Sequence, residues 1–172
     1  VTTQKRQAEK IEHQAAHDAL TGLPNRRLLG DRIGQAIMRA QRHGQRVGVV
    51  MLDLDGFKHI NDTLGHRIGD LLLIETTRRL THCIRESDTV ARLGGHEFAI
   101  ILTEMTAENE AEAVAQRAVG LLSEPYYLDA GTANISGCVG IALYPQHGQD
   151  SEQLQRNADT AMYAAKEGGR NA

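Results

Sequence analysis

Three short stretches of this chain hold residue types that could do chemistry. Asp53-Leu54-Asp55 closes an apolar run, Val47 to Leu52. A carboxylate at the C-terminal edge of a central strand can hold a hard cation beside a ligand. The same pair also suits a charged strand exit into solvent. Gly94-Gly95-His96-Glu97 lies between two further apolar runs. Paired glycines let backbone N–H groups approach phosphate oxygens, and Glu97 could face a metal. A plain tight turn also explains them. Lys166-Glu167-Gly168-Gly169-Arg170-Asn171 ends the last helical pattern. Lys166 and Arg170 stand i, i+4 and share a face if the helix runs on, so both could reach phosphates. Cations at a helix C-terminus before a glycine stop read the same way.

Strands and helices must bring these stretches together. Residues 1–17 are rich in Gln, Lys, Glu and Ala, and read as an exposed helix or linker entering a domain that spans 18–172. Pro24 suits the first turn of a helix with Leu29, Ile33, Ile37 and Ala40 on one face. Gly44 ends it. Arg46 to Asp55 reads as a strand buried on both faces, because five of the six residues from Val47 to Leu52 are apolar. Asn61 to Gly69 supplies turn residues. A helix follows with Leu73, Leu80 and Ile84 on one stripe. Thr89 to Leu102 predicts a β-hairpin with Gly94 and Gly95 near its turn. Another helix carries Ala111, Val114, Ala115, Ala118 and Leu122. Tyr126 to Leu143 predicts two strands with a turn near Gly131. A last helix carries Leu154, Ala158, Ala161 and Ala165. Helices alternating with strands, one pair a hairpin, make an α/β or α+β sheet with helices packed on it.

The totals agree with a single globular domain. The chain has 172 residues, 41 % of them hydrophobic and 24 % charged. Net charge is −3 and aromatic content only 3 %. That argues against a nucleic-acid partner, which would call for a basic face or stacking rings. Any phosphate binding must be local. Cys83 and Cys138 form no CxxC pair, so neither a zinc site nor a disulfide framework is readable, and a reducing compartment is the simpler expectation. No apolar run approaches a membrane span, and the start VTTQKRQAEK lacks the apolar core of a signal peptide. A cytoplasmic location is expected, including as the cytoplasmic part of a membrane-anchored protein.

Taken in order, DALTGLPNRR, DLDGFKHINDTLGHRIGD, RESDTVARLGGHEFAII and NADTAMYAAKEGGRN resemble the motif set of GGDEF domains, the diguanylate cyclase family. The resemblance runs from Asp18 to Asn171. It implies a central, mostly antiparallel sheet flanked by helices, like the palm of nucleotide cyclases and polymerases. It also implies a reaction in which two GTP molecules, one per domain of an antiparallel homodimer, become cyclic di-GMP and two pyrophosphates. Magnesium or manganese would assist. Residue by residue, the resemblance assigns metal binding to Asp53, to the Leu54 carbonyl and to Glu97, which with Asp53 is also implicated in catalysis. Guanine reading falls to Asn61 and Asp70. Phosphate contacts fall to Lys58, Gly94, Gly95, Lys166 and Arg170. Arg85-Glu86-Ser87-Asp88 matches the family's inhibitory RxxD, where Arg85 and Asp88 would grip cyclic di-GMP. GIALYPQHG and NADTAMYAAK look most like GGDEF domains that precede an EAL phosphodiesterase domain, and residues 1–17 look like the linker from an upstream sensor.

One position departs from the pattern. His96 stands where the signature normally has a metal-binding Asp or Glu. A neutral imidazole removes a negative charge and offers magnesium a nitrogen it accepts poorly; protonated, it repels the cation. A softer metal such as manganese, cobalt or zinc could use it, or Asp53 and Glu97 could hold one metal and give slow turnover. The expectation is a GTP- and cyclic di-GMP-binding regulator with weak or lost synthesis. The alternatives are an active cyclase, with manganese as a candidate metal, and a structural dimerisation domain.

Overall fold

The apolar run Arg46–Asp55 is strand β1, and it is buried along almost its whole length. It lies inside a four-stranded antiparallel sheet. Its neighbours are β3 (Glu97–Met105) and β6 (Ser136–Tyr144), and β2 (Thr89–Gly94) pairs with the outer side of β3. The computed structural model describes residues 2–129 and 131–168. A strand with neighbours on both edges and helices on both faces has no solvated side, which is why its pattern is continuous rather than alternating.

Each face has its own core. Val47, Val49 and Met51 face helices α2 (Arg26–His43) and α6 (Ser151–Glu167). Val50, Leu52 and Leu54 face α3 (Phe57–Leu64), α4 (His66–His82) and α5 (Asn109–Ser123). Helix α1 (Thr2–Ala16) precedes α2, and its described side chains from Thr3 to Glu9 are exposed. A short hairpin of β4 (Tyr126–Leu128) and β5 (Gly131–Ala133) forms a separate small sheet. The antiparallel, helix-flanked architecture is the one expected from the motif set.

Local details differ in five places. Ile84 lies past the end of α4, whose C-cap is Cys83, so only Leu73 and Leu80 of the expected stripe belong to that helix. Pro24 lies ahead of α2, in a bridge with His17; Asn25 is the N-cap, its side chain accepting from the Leu28 N–H. The segment read as turn, Asn61 to Gly69, is mostly helical. Gly65, at φ 93°, separates α3 from α4, so a single glycine makes the corner. Tyr126 to Tyr144 holds three strands rather than two, because Gly131 opens a strand of its own. On α6 the buried stripe is Leu154, Ala158 and Met162; Ala161 and Ala165 flank it.

Gly140 sets how closely α6 approaches the sheet. A Cβ there would lie 2.2 Å from both the Ala158 carbonyl oxygen and the Met162 nitrogen. The helix backbone therefore rests directly on β6, and this seat carries Lys166 to the end of β1.

Candidate functional site

Asp53 follows Met51 on the α2/α6 face of β1, opposite Glu97 on β3 and Cys138 on β6. Its side chain is only 3 % exposed. An ionised carboxylate so placed needs compensation, and two nitrogens supply it. Lys166, in the last turn of α6, donates to Oδ2. His96 Nε2 stands 2.7 Å from Oδ1. The approach is short, although it lacks the alignment of a full hydrogen bond. Burial alone would raise the Asp53 pKa; His96 and Lys166 outweigh it and hold the carboxyl below its ordinary value. The Asp53 carboxylate in turn raises the pKa of His96 above 6.5, against the opposing effect of burial.

The β2–β3 hairpin delivers His96. Gly94 pairs with Glu97, leaving Gly95 and His96 as a two-residue turn. Gly94 and Gly95 take φ values of 140° and 49°, where a side chain would be strained, and no atom lies within 4 Å of where their Cβ atoms would be. The Leu54 N–H donates to the His96 carbonyl at 3.1 Å, tying the turn to the end of β1. The imidazole centre lies 5.8 Å from the Phe57 ring of α3.

Three residues absent from the expected set hold this hairpin in place. Arg92 donates to both Asp18 oxygens at 2.9 and 3.1 Å, and to the Gly95 carbonyl at 2.8 and 3.2 Å. Asp18 also accepts from the N–H and hydroxyl of Thr21. The DALTGLPN segment is thus a clasp on the glycine turn. Arg26, first residue of α2, stands 3.7 Å from the Glu97 carboxylate. Their signal in the sequence was opposite charge alone, which does not identify partners 74 residues apart.

The donors present do not fit a magnesium ion. Both Asp53 oxygens face nitrogens, Glu97 is turned toward Arg26, and among the described residues no group of three or more His, Cys, Asp or Glu could hold a metal. Magnesium asks for several oxygen ligands in near-octahedral order. The assignment of a metal to Asp53, Leu54 and Glu97 therefore lacks support from this arrangement, for the physical reason that His96 and Lys166 already serve Asp53, the buried one of the two carboxylates.

The expected base-reading residues lie on the α3–α4 corner. Asn61 Oδ1 is buried and accepts no hydrogen bond. A Cβ on Gly69 would fall 1.7 Å from that oxygen, so Asn61 lies in the space this glycine leaves. Asp70 follows Gly69 and is exposed, as is Lys58 on α3. The corner thus brings Asn61 and Asp70 near one another in the chain, the amide oxygen turned in against Gly69 and Asp70 exposed to solvent. Arg170 lies outside the described residues.

The RxxD residues are adjacent but unequal. Asp88 is buried; it accepts from the Arg85 N–H at 3.2 Å and from the Thr103 N–H at 3.0 Å. It therefore ties the turn before β2 to the end of β3. Arg85 is exposed, with Nη2 2.8 Å from the Thr103 carbonyl. Arg85 is the exposed member, its guanidinium held by the Thr103 carbonyl and 3.5 Å from Asp88; Asp88 supports the backbone.

The family described as "Diguanylate cyclase, GGDEF domain" matches residues 15–172. The bifunctional diguanylate cyclase/cyclic di-GMP phosphodiesterase MucR of Pseudomonas aeruginosa is 47 % identical over 170 residues, which are 99 % of this chain and 25 % of that protein. The chain thus spans a quarter of the length of this relative. A structure of TpbB from Pseudomonas aeruginosa comprising only its GGDEF domain superposes with a TM-score of 0.87 at 41 % identity, covering 90 % of this chain and 91 % of that one. The coiled coil and GGDEF domain of DgcB from Caulobacter crescentus, in complex with c-di-GMP, gives a TM-score of 0.86 at 27 % identity, covering 99 % and 90 %. Diguanylate cyclases of this kind use divalent metal ions. Among the described residues no helix is long and apolar enough to cross a membrane.

Proposed function

Because the chain belongs to the GGDEF family of diguanylate cyclases, we propose that it serves cyclic di-GMP signalling as a nucleotide-binding regulatory module, holding GTP, cyclic di-GMP or both while making little product. The observation that carries this reading is the Asp53 carboxylate occupied by His96 and Lys166. The motif resemblance supplies recognition groups for a nucleotide beside it, whereas no second carboxylate joins Asp53 in this arrangement. Asn61 and Asp70 read the guanine edge; Lys58, Lys166, Arg170 and the Gly94-Gly95 backbone meet the phosphates; Arg85, steadied through Asp88, meets cyclic di-GMP. Any turnover would need a second copy facing the first across two bound GTP molecules. Residues 1–17 would link the domain of 18–172 to an upstream sensor, and an EAL domain would follow, all in the cytoplasm where GTP is found. A second reading is an active cyclase dependent on manganese. It is favoured by Asp53 Oδ1, which lacks an aligned hydrogen bond beside a softer nitrogen donor.

Calorimetry with GTP and with cyclic di-GMP tests the proposal. Micromolar binding of at least one nucleotide, with synthesis far below that of a competent cyclase, is the expected result. Failure of both to bind below about 1 mM, a free energy near −4 kcal/mol, would reject it. The base site has its own test. Gly69→Ala should weaken GTP binding by about tenfold, the equivalent of one lost polar contact. The added methyl evicts the Asn61 side chain, while alanine's better helix propensity keeps the melting temperature near that of the parent. A full-affinity Gly69→Ala protein would remove Asn61 from the site.

A further inference from the structure

We propose that the Asp53–His96–Lys166 cluster is a metal-free anion site, receiving the phosphates of a nucleoside triphosphate directly on its nitrogens. The inference rests on the nucleotide-binding reading above and adds the means by which phosphate charge is met. The Asp53 side chain is 3 % exposed, whereas the His96 and Lys166 side chains that cover it are 38 % and 33 % exposed. From solvent the cluster is reached across the imidazole and the lysine chain, and the Asp53 oxygens lie beneath them. An anion arriving there meets an ammonium and an imidazole already oriented by one shared carboxylate. A hard dication meets no free oxygen pair and must approach beside the Lys166 ammonium.

The surroundings agree. The Gly94-Gly95 turn beside His96 leaves open space where side chains would stand, so phosphate oxygens can come close to the backbone. Arg92 and Asp18 fix that turn from behind. The second acid of the hairpin, Glu97, stands 3.7 Å from Arg26, whose charge offsets its own; Glu97 acts on His96, and Asp55 on Lys166, through charge. Orientation by a buried carboxylate also lowers the entropy lost when Lys166 and His96 engage a ligand.

The experiment is calorimetry of GTP with the 172-residue chain, once in excess EDTA and once in excess magnesium. The wild type should bind as tightly in EDTA as in magnesium, within about threefold. Lys166→Met should weaken binding in EDTA by about tenfold or more. His96→Asp should make binding magnesium-dependent, with about a tenfold gain on adding the ion. Circular dichroism of each variant confirms that it is folded. A wild type that tightens about tenfold or more with magnesium overturns the inference and leaves the nucleotide-binding reading intact. A wild type that binds GTP under neither condition overturns both.

Discussion

His96→Asp is expected to raise cyclic di-GMP synthesis by about a hundredfold or more, the scale of one restored transition-state contact. The substitution exchanges a ring nitrogen 2.7 Å from Asp53 for a second carboxylate. Lys166 would then stand against a pair of hard oxygens, the donor set that a divalent ion accepts. All the remaining recognition groups stay in place, since the clasp of Asp18 and Arg92 acts on the Gly95 carbonyl and not on the side chain at position 96. Chromatographic detection of product from GTP, with magnesium and manganese in parallel at high protein concentration, gives the measurement. An Asp53→Ala protein is the silent control. Two carboxylates crowded at one strand end also repel each other without a metal. The variant should therefore melt lower than the parent in EDTA and recover with magnesium. A wild type as active as His96→Asp would show that histidine is tolerated, and the regulatory reading would give way to that of a working cyclase.

Gly140→Ala should reduce stability by about 3 kcal/mol, at the upper end for overpacking, and lower the melting temperature by about 10 °C in a domain of this size. The new methyl would fall 2.2 Å from the Ala158 oxygen and the Met162 nitrogen, with the Met162 Cα at 2.7 Å. These are helix backbone atoms, so no rotamer change relieves the clash. Helix α6 must lift from β6. That opens the core around Leu154, Ala158 and Met162 and draws Lys166 away from Asp53. Gly120→Ala on α5 is the control, since nothing lies within 4 Å of its added Cβ. It should match or slightly exceed the parent. Thermal denaturation of both proteins checks the pair. A Gly140→Ala protein that melts with the parent would mean that α6 yields at little cost and that its close seat does not set the position of Lys166.

Most of the framework was legible before any tertiary contact was known. The apolar run of β1, the glycine hairpin and the stripes of α2 and α5 follow from periodicities that depend only on local backbone geometry. The buried residues Leu29, Ile33, Ile37 and Ala40 are those the spacing selected. Errors fell where one residue decides a corner. Gly65 makes a sharp bend between two helices, so a stretch dense in Asn, Asp and Gly read as a turn. Pro24 serves a bridge outside α2 because Asn25 supplies the cap.

Residue type and order pointed to Asp53, the Gly94-Gly95 turn, Glu97 and Lys166, and the resemblance to the GGDEF motif set added Asn61, Asp70, Arg85, Asp88 and the meaning of His96. Neither showed what each one touches. Sequence by itself determined which chemical groups are available, on which elements, and that an imidazole replaces an acid in the hairpin. Only the tertiary structure decided that His96 and Lys166 converge on Asp53, that Arg26 diverts Glu97, that Arg92 and Asp18 lock the turn, and that Asp88 is occupied with backbone. The reason is physical. Elements form from local periodicity, whereas Lys166 meets a carboxylate 113 residues away only because strand register and the bare backbone of Gly140 set an approach that no local pattern encodes.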